Sequence, residues 1–249
     1  MKLGEMYFRG EDFANAETQF ELLAEQNSTG PFTERALFFA GEAAMASMAA
    51  QSLDRALVLF DRVVQLNGEL KFAARNEQAV IERKLGKARD AAALYDEVLN
   101  AAAARPAEKR EAMCGKADIF FEMAATDPQN YQRAIEAYDK LAADREAPAH
   151  WRNQALFKKG LCLEKKSDRA AALATFYAVI DEGTRPNQPH EFFWFYKAGF
   201  NAGQLLEADA KWDSAAAIYE KLAATGGTRA GEARERLDRL RLEHFLRQE

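Results

Sequence analysis

His150 and His190 are the first residues to weigh for chemistry, because imidazole binds metals and moves protons near neutral pH, and both stand just ahead of apolar, helix-like segments. They could approach one another if those segments pack side by side. Two histidines without a third ligand make a poor zinc site, and a place at a helix start or on the surface accounts for both. Cys114 and Cys162 lack the spacing of a metal-binding pair and suit either buried free thiols or a disulfide. The sequence holds no Gly-x-Ser-x-Gly, no phosphate loop ending in Gly-Lys-Ser/Thr, no His-Glu-x-x-His and no calcium loop. Gly226-Gly227 ahead of a helix is either an anion cradle or a helix-to-helix turn. Carboxylates abound, but no cleft is defined that would split a pair into acid and base. The expectation is a chain that is not an enzyme, with no cofactor and no metal site.

Composition narrows the classes further. With 34 Lys and Arg against 39 Asp and Glu, the net charge is −5, the opposite of the basic footprint that nucleic-acid binders carry. No run of eighteen apolar residues occurs, and the start lacks a basic-then-apolar pattern, so neither a membrane span nor an intact signal peptide is read. A hydrophobic share of 48% and a charged share of 29% are those of an ordinary folded chain.

The residues that do recur form a structural pattern. In the stretch 131–143, YQRAIEAYDKLAA, a small residue precedes an aromatic by four positions and a branched aliphatic follows three later. The six sets are Ala16/Phe20/Leu23, Ala56/Phe60/Val63, Ala91/Tyr95/Val98, Ala134/Tyr138/Leu141, Ala172/Phe176/Val179 and Ala215/Tyr219/Leu222. Offsets of four and seven keep each set on one helical face that must be buried. Between these helices, first helices are predicted over 31–48, 71–85, 106–123, 148–165 and 191–208. Prolines 31, 106, 148 and 189 stand at or just before their starts. Asn67-Gly68, Asp181-Glu182-Gly183 and Gly226-Gly227 sit where helices should stop in left-handed backbone. No strand pattern competes, so the class is all-α.

The opening Leu3-Gly4-x-x-Tyr7, then Phe13-x-x-Ala16-x-x-x-Phe20, resembles the tetratricopeptide repeat, in which two antiparallel helices pack through small residues at their crossing. The resemblance implies a right-handed α-α superhelix, a solenoid of about six helix pairs, over residues 1–249 as one domain, with a capping helix over 228–249. The bulky residue a turn before Leu-Gly would fall before Met1, so the chain is expected to be part of a longer protein. Successive motif alanines are 40, 35, 43, 38 and 43 residues apart, all above the usual period of about 34. Long, uneven periods of this kind resemble the bacterial envelope branch of the family, which includes the TolA-binding protein of the Tol-Pal system and the lipoprotein of the outer-membrane barrel assembly machine. That likeness implies a periplasmic or cell-envelope setting, with the cytoplasm as the alternative.

In that family the first helices line a groove, and the resemblance places groove-facing residues around the small crossing position. With Gly160 as that position, they are Gln154, Phe157, Lys158 and Leu161; with Gly203 they are Lys197, Phe200, Asn201 and Gln204. Counting from Ala44 and Ala79 gives Phe38, Glu42 and Met45, then Asn76, Glu77 and Val80; from Ala117 it gives Glu111 and Gly115. The groove is therefore expected to be acidic early and basic late. Lys197 and Asn201 match two places of the family's carboxylate clamp, within one repeat only.

Phe192-Phe193-Trp194-Phe195-Tyr196 sweeps more than a helical turn, so one stripe cannot bury all five rings. Either neighbouring helices absorb them, or one or two, Trp194 among them, stand in the groove as anchors. In the last helix Ala230, Ala233, Leu237 and Leu240 share a face, and Leu242, Phe245 and Leu246 extend the apolar surface toward either the last repeat or a partner.

The functional expectation is a non-catalytic protein–protein interaction scaffold that binds a peptide or helical segment of another protein. A self-assembling structural subunit and a small-ligand binder or enzyme are the alternatives. If the motif residues mark crossings without spare room, Ala134→Leu should lower stability by about 1 to 3 kcal/mol. An unchanged urea midpoint would contradict the motif there.

Overall fold

The computed structural model describes residues 1–26, 30–47, 49–185 and 192–245. Among them are thirteen α-helices and no strand, the all-α class expected. They are α1 Lys2–Arg9, α2 Phe13–Gln26, α3 Thr33–Ala46, α4 Ser52–Leu66, α5 Lys71–Lys84, α6 Ala88–Asn100, α7 Pro106–Met123, α8 Asn130–Ala142, α9 Ala149–Lys165, α10 Arg169–Gly183, α11 Phe192–Ala208, α12 Trp212–Thr225 and α13 Ala230–His244. Odd-numbered helices up to α11 are first helices, even ones carry the aromatic motif, and α13 follows the sixth pair. The helices pack as two compact units, Met1–Ile119 and Phe120–Glu249. Pro189, His190 and Leu246 lie outside the described residues.

The motif is the core of each pair. Of its eighteen residues all are buried except Leu23, which is half-buried. The aromatic ring fills the space left by a missing side chain on the facing helix. A Cβ added at Gly4 would lie 2.6 Å from Phe20, at Gly41 2.8 Å from Phe60, at Gly160 2.4 Å from Phe176 and at Gly203 2.5 Å from Tyr219. Gly160 and Gly203 are thus the crossing points expected. In the second pair Gly41 takes that place rather than Ala44, because the Phe60 ring lies against its backbone.

Four first helices end alike. Glu11, Gly86, Ser167 and Ala210 have φ of 59°, 76°, 62° and 55°, and the amide after each reaches back five residues. Asp12 donates to the Tyr7 carbonyl, Lys87 to Glu82, Asp168 to Leu163 and Lys211 to Leu206, at 2.9 to 3.0 Å. This is the Schellman turn, which satisfies carbonyls left open at a helix end. Each left-handed residue stands five before its motif alanine, so the turn belongs to the repeat. Only one of the four is glycine, and the others carry a side chain in a conformation that costs about 1 kcal/mol.

Asn67, Gly226 and Gly227 have the left-handed backbone expected, with φ of 53°, 85° and 93°. Gly183 does not: α10 runs through it, and Thr184 closes the helix at φ −115°. The Thr184 hydroxyl donates to the Ile180 carbonyl at 3.1 Å, so no left-handed residue is needed there. Between pairs, Lys116 meets Asp96 and Lys159 meets Asp139, both at 2.6 Å. In each case the aspartate follows the motif tyrosine. Such half-exposed ion pairs add tenths of a kcal/mol and help set register.

Two substitutions separate packing from backbone strain. Gly160→Ala should lower stability by about 1 to 3 kcal/mol, because Phe176 must move. Ala210→Gly should raise it by about 1 kcal/mol. Urea midpoints of both variants check this, and equal signs would refute one of the two accounts.

Candidate partner-binding faces

In the second unit, α9 and α11 lie side by side, joined by the Phe157 and Trp194 rings at 5.4 Å. Gln154, Lys158, Leu161, Trp194, Lys197 and Asn201 are half-buried on these helices, and Gln204 is exposed. Phe157 and Phe200 are only 7% and 4% exposed, which corrects the expectation that these two rings face an open groove. Phe157 is held between Phe176, at 5.8 Å, and Trp194. Phe200 packs on Tyr196 and Tyr219 and is covered by the guanidinium groups of Arg229 and Arg236, 4.3 and 4.9 Å from its centroid. Those arginines belong to the C-terminal segment, whose approach no local spacing announces. Asn201 spends its amide on the Lys197 carbonyl at 2.8 Å.

The aromatic run divides as helical geometry requires. Phe195 and Tyr196 are buried, and the Tyr196 hydroxyl donates to the carbonyls of Leu222 and Gly226. Phe192 and Trp194 are half-buried, and Phe193 is 58% exposed. Phe193 meets Trp194 edge-on at 4.7 Å. Lys197 Nζ stands 4.5 Å from the Phe193 ring, 5.1 Å from Trp194 and 5.8 Å from Phe157. A cation held over rings in this way remains a donor on a surface that also offers apolar contact.

On α13, Ala233, Leu237 and Leu240 are buried, while Leu242 and, just past the helix end, Phe245 are 78% and 92% exposed. The inward stripe continues instead to His244, which stacks on Trp212 at 3.7 Å. Leu242 falls two positions beyond Leu240 and so points away from that stripe. Cys114 and Cys162 are buried free thiols, and His150 lies against Trp151. Among the described residues no group of three His, Cys, Asp or Glu side chains is placed to hold a metal ion, and no helix is long and apolar enough to cross a membrane.

The first unit presents a different face. Glu111 on α7 acts electrostatically on Glu42 of α3 and on Glu77 of α5, and Glu42 acts on Glu77. Burial first, then Glu111, raises the Glu42 carboxyl above its ordinary range. Burial, then Glu111 and Glu42, pushes Glu77 up to about 7, against the lowering influence of Lys84. Burial also raises Glu111, aided by Glu108 and opposed by a hydrogen bond from Asn76. That bond, from Asn76 Nδ2 to Glu111 Oε2, is 3.0 Å, and the same nitrogen donates to the Glu108 carbonyl at 3.0 Å. Glu42, Glu77 and Asn76 are among the residues that the sequence led us to expect on a groove, and Glu111 is the counterpart in the fourth pair.

A family model described as tetratricopeptide repeat matches residues 154–182, the greater part of α9 and α10. A search of curated proteins found no match. Among solved structures, a tetratricopeptide repeat protein from Parabacteroides merdae ATCC 43184 is 15% identical with a TM-score of 0.57, covering 98% of this chain and 85% of that one. The nearly identical TPR-like repeats of a putative kinesin light chain from Podosopora anserina are 14% identical with a TM-score of 0.55, covering 76% of this chain and 95% of that one. At these identities the likeness concerns the fold, which is that of a tetratricopeptide-like repeat protein.

The buried carboxylates give a stability test. With its folded pKa raised from the ordinary 4.5 to about 7, Glu77 binds its proton more tightly folded than unfolded. Its contribution to stability therefore declines as pH rises from about 4.5 to about 7 and stays reduced above. Glu77→Gln should stabilise the fold by about 1 to 3 kcal/mol at about pH 8 and leave it unchanged near about pH 4. Urea titrations at both pH values check this, and a pH-independent effect would contradict it.

Proposed function

We propose that the protein is a non-catalytic scaffold that holds a segment of another protein against the first-helix face of its second unit. The observation that carries this reading is the half-exposed Phe193 ring set beside Trp194 and Lys197, where apolar contact and a cation meet on one face. Repeat arrays of this kind use such faces for binding, and aromatic side chains supply much of the energy at interfaces. Phe193 and Trp194 are the anchors in this proposal, because Phe157 and Phe200 are buried. Gln154, Lys158, Leu161, Lys197, Asn201 and Gln204 form the surround that sets register. The segment is acidic or ends in a carboxylate, to meet the lysines. A cell-envelope assembly is the setting we propose, on the uneven repeat spacing alone. Self-assembly is a second reading, favoured by the exposed Leu242 and Phe245 at the end of α13, and light scattering over a concentration series tests it.

The test of the main reading places a photo-crosslinking residue at position 193, with position 217 on α12 as control. A protein captured from 193 alone should, once purified, bind Phe193→Ala at least about fivefold more weakly. Lys197→Ala should weaken binding less as salt is raised, since the charge is then screened in the parent as well. Affinity unchanged in both variants would overturn the proposal.

A further inference from the structure

We propose that the first unit carries a separate binding site for an arginine side chain of a partner protein, formed by Glu42, Glu77 and Glu111 together with Asn76. It lies in a different unit from the face described above and prefers the opposite charge.

Three observations lead there. First, the three carboxylates come from three successive first helices, α3, α5 and α7, and Glu111 is near enough to Glu42 and to Glu77, and Glu42 to Glu77, to raise their proton affinity. Second, Glu42 and Glu77 have no hydrogen bond or ion pair among the described residues. Other half-buried or buried acids of this unit do: Glu17 meets Arg55 at 2.7 Å, Asp118 meets Arg83 at 2.8 Å and Glu108 meets Arg105 at 2.6 Å. Desolvated carboxylates left without a cation are the exception in folded proteins. Third, Asn76 is wholly buried, and its Oδ1 has no donor. Its Nδ2 is tied to Glu111, so amide geometry puts Oδ1 within about 5 Å of that carboxylate. A donor entering between them would serve both acceptors. An unpartnered buried amide oxygen beside unpaired carboxylates describes a site built for something that donates hydrogen bonds and carries positive charge.

The arrangement favours guanidinium over ammonium. Acceptors come from three helices, and a planar fork with five donors can address several at once, whereas lysine brings a compact charge. The cations already nearby do not fill the role, since Lys84 is exposed and Arg83 is engaged by Asp118. The groups facing Glu77 are Glu42 from α3, Lys84 from its own helix, the Tyr95 hydroxyl from α6 and Glu111 from α7. Binding of a cation would draw the proton from Glu77, so affinity should rise between about pH 6 and about pH 8.

The test uses the whole chain and a capped Ala-Ala-Arg-Ala-Ala peptide, followed by amide NMR at low salt. Saturable shifts should centre on residues around Glu42, Glu77 and Glu111. The same peptide with uncharged citrulline should cause none, and the lysine peptide should bind more weakly. Glu77→Gln combined with Glu111→Gln should weaken the arginine peptide about tenfold or more. Glu42→Gln alone gives a second reading should the double variant fold poorly. Shifts scattered over the acidic surface, or affinity indifferent to these substitutions, would overturn the site. Free arginine amide binding as tightly as the peptide would overturn the assignment to a protein segment.

Discussion

An aromatic ring seated on a glycine is the contact on which the rest of this structure depends. Phe20 on Gly4, Phe60 on Gly41, Phe176 on Gly160 and Tyr219 on Gly203 bring two helices closer than any side chain at the glycine would allow. Because the approach is so close, each first helix has little freedom to rotate about its axis. Residues a few positions from the glycine are then assigned to fixed directions. Tyr95 extends the rule across pairs, since its ring lies against Gly115 of the following first helix. Interiors packed at this density transmit a change of one methyl group to the neighbouring helix.

From that constraint follow two faces of different chemistry. In the second unit the first helices offer an exposed ring and a lysine whose charge is spread over three aromatic faces. In the first unit they offer carboxylates whose burial disfavours their charge. The repeat that specifies the packing does not specify these residues, because Phe193, Lys197, Glu42 and Glu77 are not the small residues against which the motif rings lie. A scaffold can in this way vary its partners while its core stays the same.

Burial of Phe157 and Phe200 shows how position on a helix and availability to a partner can diverge. Both stand where repeat counting places a groove residue, yet each is covered. Trp194 of the adjacent first helix closes over Phe157, and two arginines of the C-terminal segment close over Phe200. Guanidinium groups lie flat on rings because their planar charge matches the negative aromatic face. The ring that stays outside, Phe193, is the one whose direction on α11 points away from both neighbours.

The sequence by itself determined the all-α class, the six motif helices and the crossing glycines of the fifth and sixth pairs. These follow from periodicity and from residue type, which act over a few turns of one helix. Tertiary structure decided which small residue the Phe60 ring would choose, Gly41 over Ala44, since both lie on α3 and only the path of α4 separates them. It decided that Glu11, Ser167 and Ala210 would take left-handed backbone, where no glycine gave a signal. It also decided which rings and carboxylates would be desolvated. Exposure belongs to the neighbours a residue acquires, and those neighbours, the arginines over Phe200 and the three helices around Glu77, come from segments far away along the chain.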